Sequence, residues 1–593
     1  MEPGKRKTIT VIAAAGLLAA YIALAVGSSL DDSATFDEGV HLAAGFAWLK
    51  WPRAQIYDPA NPSFSNALAA LPLLFLRLDP FFDRVEPPGL SPEENLGFIQ
   101  WLSQKLLYRT RPGADPILIV CRLPMILLSA LFGLTVFFWA RRWGGDGAGL
   151  IALALFVFSP EMLAHGRLIT NDAGGAFFMT LSLFLFWRGL KAGTISPIVF
   201  SGLAAGAAAA TKYASLSLVP LVFVAGAVFT AADRRGRGER NRWRSYAGKY
   251  LLWLAAAFLV VAAVYRWRDL PLYGKGIAET FGHYQGWRPS FLLGRYSGTG
   301  WRYYFLATFF LKTPPAFFLL LLLGGASLRR RMAKEWPDLV FVLFPPLAYF
   351  LAASLSRLAI GNRHILFVYA PLFVLIAAGA TAMRRKAFVL LGLPLLLWYA
   401  ASSLRVYPHG LAYLSEFAGG PQNAVNLLSD SNVDWGQDLK RLRIALDRRG
   451  IGGVILSYFG EADPRYYGID YQYLFSDGPL SYREFNKPPD RKYLAISLKC
   501  LQGVSFEDHD LFAWLKDYSP VETIGHTIFL YDLTGRIDAY LRLAYNYAET
   551  GRPALAEKEL RAVLALEPGH PFARRALRDL RQTAGGAARK TWK

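Results

Sequence analysis

Apolar runs separated by short polar stretches fill the first two-thirds of the chain. A bilayer core needs about 20 apolar residues in a helix, and the runs predict about eleven spans. They fall near 8–30, 117–140, 147–163, 173–189, 197–211, 214–232, 249–266, 306–328, 338–356, 364–382 and 386–404. Two shorter helices are expected in the first polar loop. Gly39–Trp51 carries Val40, Leu42, Ala43, Phe46, Ala47 and Trp48 at helical spacing, and reads as an interfacial helix anchored by Trp48 and Trp51. Ala67–Leu78, after Asn61-Pro62-Ser63, is too short to span.

After residue 404 the pattern changes. Val454–Tyr458, Tyr493–Ser497 and His526–Tyr531 read as strands, and Ser431–Asp447 as a capped helix. Residues 537–583 have the small and aromatic positions, glycine turn and proline stop of one tetratricopeptide unit with a closing helix. One such unit cannot bury its own face, so it must pack on something else. The expected fold class is an α-helical polytopic membrane protein (1–404), followed by a soluble α/β domain (405–533) and a short tetratricopeptide-like helical tail (534–593).

Composition agrees with a membrane chain: 53% of the 593 residues are hydrophobic. The net charge of +21 raises the question of nucleic acid, but its placement answers it. Basic clusters recur in every second loop, at Lys5–Lys7, Arg141–Arg142, Arg188 with Lys191, Arg234–Lys249, Arg329–Lys334 and Arg384–Lys386. That is the positive-inside pattern, and no nucleic-acid partner is expected. It puts the N-terminus in the cytoplasm. The loops 31–116, 164–172, 267–305 and 357–363, and everything after 404, then face outward. Thr8–Leu30 is long for a signal peptide and reads as a retained helix. Cys121 and Cys500, in different regions, predict no disulfide.

Chemistry-bearing residues collect on the outward side. Asp37 and Glu38 follow the first span, either as a solvated helix N-terminus or as a general base where a lipid-borne substrate meets water. The loop Ser159–Asp172 brings Glu161, His165, Arg167, Asn171 and Asp172 to that face. There Asp172 serves as a helix cap or a site residue, and His165 as an interfacial histidine or a metal ligand. Lys212, in a tight outward turn, either snorkels to water or meets an anionic headgroup. The loop 267–313 is dense in cations and aromatics, among them His283, Trp301 and Tyr304, whose rings suit sugar surfaces or a membrane belt. It ends at Lys312 beside a Pro-Pro break that suits an anion. Arg363 opens a span at the same face, where its fork fits a phosphate or anchors to headgroups.

Together these segments resemble polytopic GT-C-type glycosyltransferases that use a polyprenyl-phosphate sugar, among them protein O-mannosyltransferases and the bacterial aminoarabinose transferase of lipid A. The matching pieces are Phe36-Asp37-Glu38-Gly39, Asn61-Pro62, Arg167–Ala173, Thr211-Lys212-Tyr213, Leu311-Lys312-Thr313-Pro314 and Gly361-Asn362-Arg363-His364. Their order and spacing across 1–404 carry the resemblance. The stretch Ser431–Leu439 is similar to one in bacterial members. The chain departs from mannosyltransferases with a β-trefoil insert, since 267–305 is too short for one, and it adds a C-terminal domain.

The resemblance implies catalytic roles for Asp37, Glu38 and Asp172: Asp37 takes the acceptor's proton, Glu38 orients it or the acceptor, and Asp172 lines the cavity. Lys212, Lys312 and Arg363 would grip the donor phosphate. His165, Arg167, Asn171, His283, Trp301 and Tyr304 are candidate substrate contacts. It further implies an inverting transfer to a protein hydroxyl, glycan or lipid acceptor, at the outer face of a bacterial inner membrane. No cofactor is required; a divalent metal could assemble on Asp37, Glu38, Asp172 and His165. The rival readings are an oligosaccharide transferase using a lipid diphosphate and a non-enzymatic lipid-sugar transporter. A transporter should show internal repeats and acids at mid-membrane, neither of which is seen here.

Overall fold

The computed structural model describes residues 3–85, 92–232, 239–283, 288–476, 487, 489 and 491–582. They form two compact units. The first comprises residues 1–30 and 37–424, the second 31–36 and 425–593. The division therefore falls at 424 rather than at the expected 404, and a six-residue piece between the first two helices belongs to the second unit.

The first unit is helical. Among the described residues eight helices are long and apolar enough to cross a membrane, and nine if the bent pair Tyr304–Lys312 and Pro315–Arg329 counts as one. That is fewer than the expected eleven; the difference lies in the two arms of Ala114–Val157, joined here as one helix, and in the 14-residue Ser196–Ala209, which is short for a span. Ala114–Val157 is broken at Gly145, whose φ of 77° suits only a residue without a Cβ. The chain reverses there. A Cβ on Gly149 would lie 2.8 Å from the Phe137 ring, whereas in one straight helix the two residues would be about 18 Å apart. Pro315–Leu355 doubles back likewise at Glu335, so that Phe317 and Phe350 both contact the Phe309 ring, each at 6.0 Å.

The helix Glu38–Lys50 is packed inside this unit, with most of its residues buried. Trp48 is buried: the Arg266 guanidinium sits 4.3 Å from its ring centroid, and Tyr265 packs edge-on at 5.4 Å. Gly45 lets the following helix, Ser63–Ala70, approach closely, since a Cβ there would clash with the Asn66 carbonyl. A small hairpin, β1 (Ser290–Leu292) and β2 (Arg295–Ser297), stands between the helices Leu270–His283 and Tyr304–Lys312.

The second unit is built on a five-stranded mixed sheet of β3 (Val454–Ser457), β4 (Tyr471–Tyr473), β5 (Tyr493–Ser497), β6 (Glu522–Ile524) and β7 (Ile528–Asp532), in the order β4-β3-β5-β7-β6. β3 pairs in parallel with β4 and β5, while β7 is antiparallel to β5 and β6. Residues 31–36 are bound to its 435–441 segment. Ser33 N donates to Gln437 O (2.9 Å), Phe36 N to Trp435 O (2.8 Å), and Asp32 pairs with Arg441. Three helices, Ile537–Glu549, Pro553–Leu566 and Pro571–Gln582, close the chain. They pack on the same unit, with Lys492 Nζ 2.6 Å from Glu559 and Trp514 Nε1 3.0 Å from Asn546.

Candidate active site

Four helix ends meet in the first unit. Asp37 precedes the helix Glu38–Lys50, and Asp172 stands in the first turn of Asn171–Ala192. Lys212 sits in the turn after Ser196–Ala209, and Arg363 in the short Asn362–Ile365 turn that opens Leu366–Ala382. Their charges alternate. Arg363 Nη1 lies 3.0 Å from Asp172 Oδ2 and 3.3 Å from Asp37 Oδ2. Lys212 Nζ bonds the other Asp172 oxygen and lies 3.2 Å from His364 Nδ1. Asp37 is the most exposed of the four at 30%, against 10% for Arg363, 3% for Asp172 and 14% for Lys212. A row of charges that ends at a half-exposed carboxylate can bind an anion and still reach water.

Local sequence explains the approach of Lys212. A Cβ on Gly175 would lie 3.3 Å from the Lys212 stem and 3.6 Å from Ser215 Oγ, so the glycine clears room for both. Burial lowers the Lys212 ammonium from its ordinary value, against the opposing effect of Asp172. Nearby, the Asn171 amide and the Thr211 and Ser215 hydroxyls are buried with no hydrogen-bond partner among the described residues. Such groups are costly unless something fills their bonds.

Other expected site residues point elsewhere. Glu38 is sealed. Arg122 Nε and Nη2 donate to its two oxygens at 2.8 and 2.6 Å, and Ile169 N donates at 3.0 Å. This bidentate pair ties the helix start to the 165–170 loop. Lys312 is fully buried, in a network that reaches Asn362, the neighbour of Arg363, through Glu161. Its ammonium donates to Leu411 O (2.8 Å) and Tyr413 O (2.9 Å) and lies 3.4 Å from Glu161. Glu161 in turn accepts from Asn362 Nδ2 at 2.9 Å. His165 belongs with that buried network, 3.7 Å from Glu161. Burial pushes its ring down to about 4, only partly opposed by Glu161 and Asp172, so it is neutral at pH 7. Arg167 and Tyr304 are buried and Trp301 is half-buried. His283 ends a helix, but its side chain lies outside the described residues. Among the described residues no group of three or more His, Cys, Asp or Glu is set to hold a metal ion.

Arg122 and Asp58 escaped the sequence reading, and His364 stood in its motif without a role. His364 completes the contacts of Lys212, and the Arg363-His364 pair was its signal. Arg122 announces itself as a lone arginine in an apolar run, which requires a buried acid. Asp58 is buried just before Asn61-Pro62, accepting from Ala60 N (2.9 Å) and Asn61 Nδ2 (2.8 Å). Burial raises its carboxyl, with His41 opposing and Asp37 adding to the rise.

Residues 97–267 match the family model described as dolichyl-phosphate-mannose-protein mannosyltransferase, and the resemblance read from the motifs stands. No curated protein matches the chain. Among solved structures, ArnT of Cupriavidus metallidurans bound to undecaprenyl phosphate is similar at 13% identity and a TM-score of 0.45, covering 89% of this chain and 98% of its own. The Archaeoglobus fulgidus oligosaccharyltransferase follows at 14% and 0.42, covering 68% and 57%. The S. cerevisiae protein O-mannosyltransferase Pmt1-Pmt2 complex gives 16% and 0.34, covering 44% and 34%.

Proposed function

We propose that the chain is a membrane-embedded, inverting glycosyltransferase that moves a sugar from a polyprenyl-phosphate donor to a hydroxyl acceptor. In this reading Asp37 accepts the proton as the acceptor oxygen attacks the anomeric carbon. The new C–O bond forms on one face while the bond to phosphate breaks on the other, and polyprenyl phosphate leaves. Lys212 and Arg363, aligned by Asp172, offset the charge that grows on the leaving oxygen. The unpartnered Asn171 amide and the Thr211 and Ser215 hydroxyls take the sugar's hydroxyls. Glu38 acts through Arg122 by fixing the start of its helix, and Lys312 supports the fold beside the site. A single leaving phosphate is matched by two cations, so no metal is demanded.

The active face is the outward one of a bacterial inner membrane, and the acceptor is a protein hydroxyl, glycan or lipid. One observation carries this reading most: the alternating Asp37–Arg363–Asp172–Lys212 contacts drawn from four separate segments. The test is release of polyprenyl phosphate from a labelled polyprenyl-phosphate sugar by the purified chain in liposomes, with an envelope extract as acceptor source. Release that depends on the chain and survives EDTA is expected. Sugar crossing the bilayer with its phosphate bond intact would contradict it.

A further inference from the structure

The helix that carries Asp172 in its first turn carries Lys191 in its last. Its 22 residues span about 33 Å, so the two ends lie a membrane's thickness apart. At the Lys191 end there is a cavity of about 240 Å³, far from the site above. Three helix ends enclose it: the C-terminal ends of Asn171–Ala192 and Leu218–Ala232, and the start of Glu239–Val264. Lys191, Arg242 and Lys249 line it together with Thr230, Ser245 and Tyr246, and no carboxylate is among its described lining residues.

The cavity is built rather than incidental. Lys191 Nζ is held 2.7 Å from Asp338 Oδ2 and lies 5.1 Å from the Trp187 ring centroid, while Trp187 Nε1 donates to the same carboxylate at 2.7 Å. The Tyr246 hydroxyl donates to Phe223 O, and its ring closes over Gly226, where a Cβ would lie 2.6 Å away. A lysine at a helix C-terminus is ordinary, because the dipole favours it. Arg242 is different: it sits in the first turn of its helix, where the dipole favours an anion and disfavours a cation. Arg242 and Lys249 converging there with the Thr230 and Ser245 hydroxyls, beside a Lys191 already held by Asp338, make a site for a group with several acceptor oxygens. The volume lies below the ~300–1,000 Å³ of pockets that take drug-sized ligands, which suits a small anion and not a whole nucleotide. Basic pockets between membrane helices on the side of the basic loops are a recurrent headgroup site.

We propose that this cavity binds a phosphate group, opposite the transfer site and separately from it, supplied by an anionic phospholipid headgroup or by soluble phosphate. The full chain is titrated with phosphatidylglycerol, and with phosphatidylcholine as the neutral control, by native mass spectrometry in detergent. In parallel its melting is followed with millimolar inorganic phosphate. Arg242→Gln with Lys249→Gln is compared with the charge-keeping Arg242→Lys with Lys249→Arg. Retained phosphatidylglycerol that falls about tenfold or more in the glutamine variant, and is kept in the charge-keeping one, supports a lipid source. Phosphate-dependent stabilisation lost in the same variant supports a soluble one. The proposal is overturned if neither anion binds above the neutral control, or if the glutamine variant binds as the wild type does.

Discussion

Asp37 and Glu38 are neighbours in sequence and opposites in setting. Glu38 and its partner Arg122 are 0% and 1% exposed, with both carboxylate oxygens occupied. Asp37 is 30% exposed and meets Arg363 through one oxygen at 3.3 Å. The first pair is closed on itself. The second is the open end of a row that continues to Asp172 and Lys212. The same contrast separates two lysines. Lys312 is spent on two carbonyls and Glu161 inside the fold, while Lys212 belongs to the open row. Charge around these helix ends is thus of two kinds, and satisfaction of the side chain, not its type or position, tells them apart.

The comparison can be broken by substitution. Asp37→Asn should lower transfer by about 10²–10⁴-fold, the usual contribution of a general base, with melting unchanged. Glu38→Gln should act on the fold instead. Removing one partner of a buried pair costs about 3–5 kcal/mol, so folded yield and melting temperature fall. Glu38→Leu with Arg122→Met, which removes both charges, should recover most of that loss. Next come the lysines. Lys212→Met should raise the donor KM by roughly 10–100-fold, as expected for one charge-assisted hydrogen bond, whereas Lys312→Met should lower melting and leave KM of the folded fraction unchanged. A rise in donor KM for Lys312→Met would erase the distinction.

The smallest effect lies in the second unit. Asp434 is buried, accepting from Lys499 N (3.1 Å) and Gly436 N (3.2 Å), and burial pushes its carboxyl up to about 7. A folded value above the unfolded one means that the fold holds the proton more tightly. Its contribution is full below about pH 4 and is lost as pH rises through 7. Differential scanning of the full chain should show this unit's transition shift down by a few degrees between pH 5 and pH 8, and Asp434→Asn should flatten that dependence.

Much of this was legible in the chain. Apolar run length gave the long helices of the first unit, and period-two patterning gave β3, β5 and β7 to within two residues, whereas the helix expected over Ser431–Asp447 starts only at Leu439. The short strands β4 and β6, of three residues each, were too brief to register as a pattern. Asp37, Asp172, Lys212 and Arg363 could be assembled because each ends a predicted helix on one face. The sequence could not say which way a side chain turns. Lys312 ends a helix at that face, yet residues 411–413 cover it, and those carbonyls lie far along the chain. Glu38 turned inward because Arg122 was waiting in an apolar helix, and only tertiary packing joins them. The assignment of residues 31–36 to the second unit is likewise a long-range pairing with 435–441 that no local pattern announces.

The most direct test is a paired one: Asp37→Asn and Glu38→Gln, purified side by side, each measured for release of polyprenyl phosphate per folded molecule and for melting temperature. The account predicts a crossover, with Asp37→Asn inactive at wild-type stability and Glu38→Gln unstable but active in its folded fraction. Wild-type release by a folded Asp37→Asn chain would contradict it.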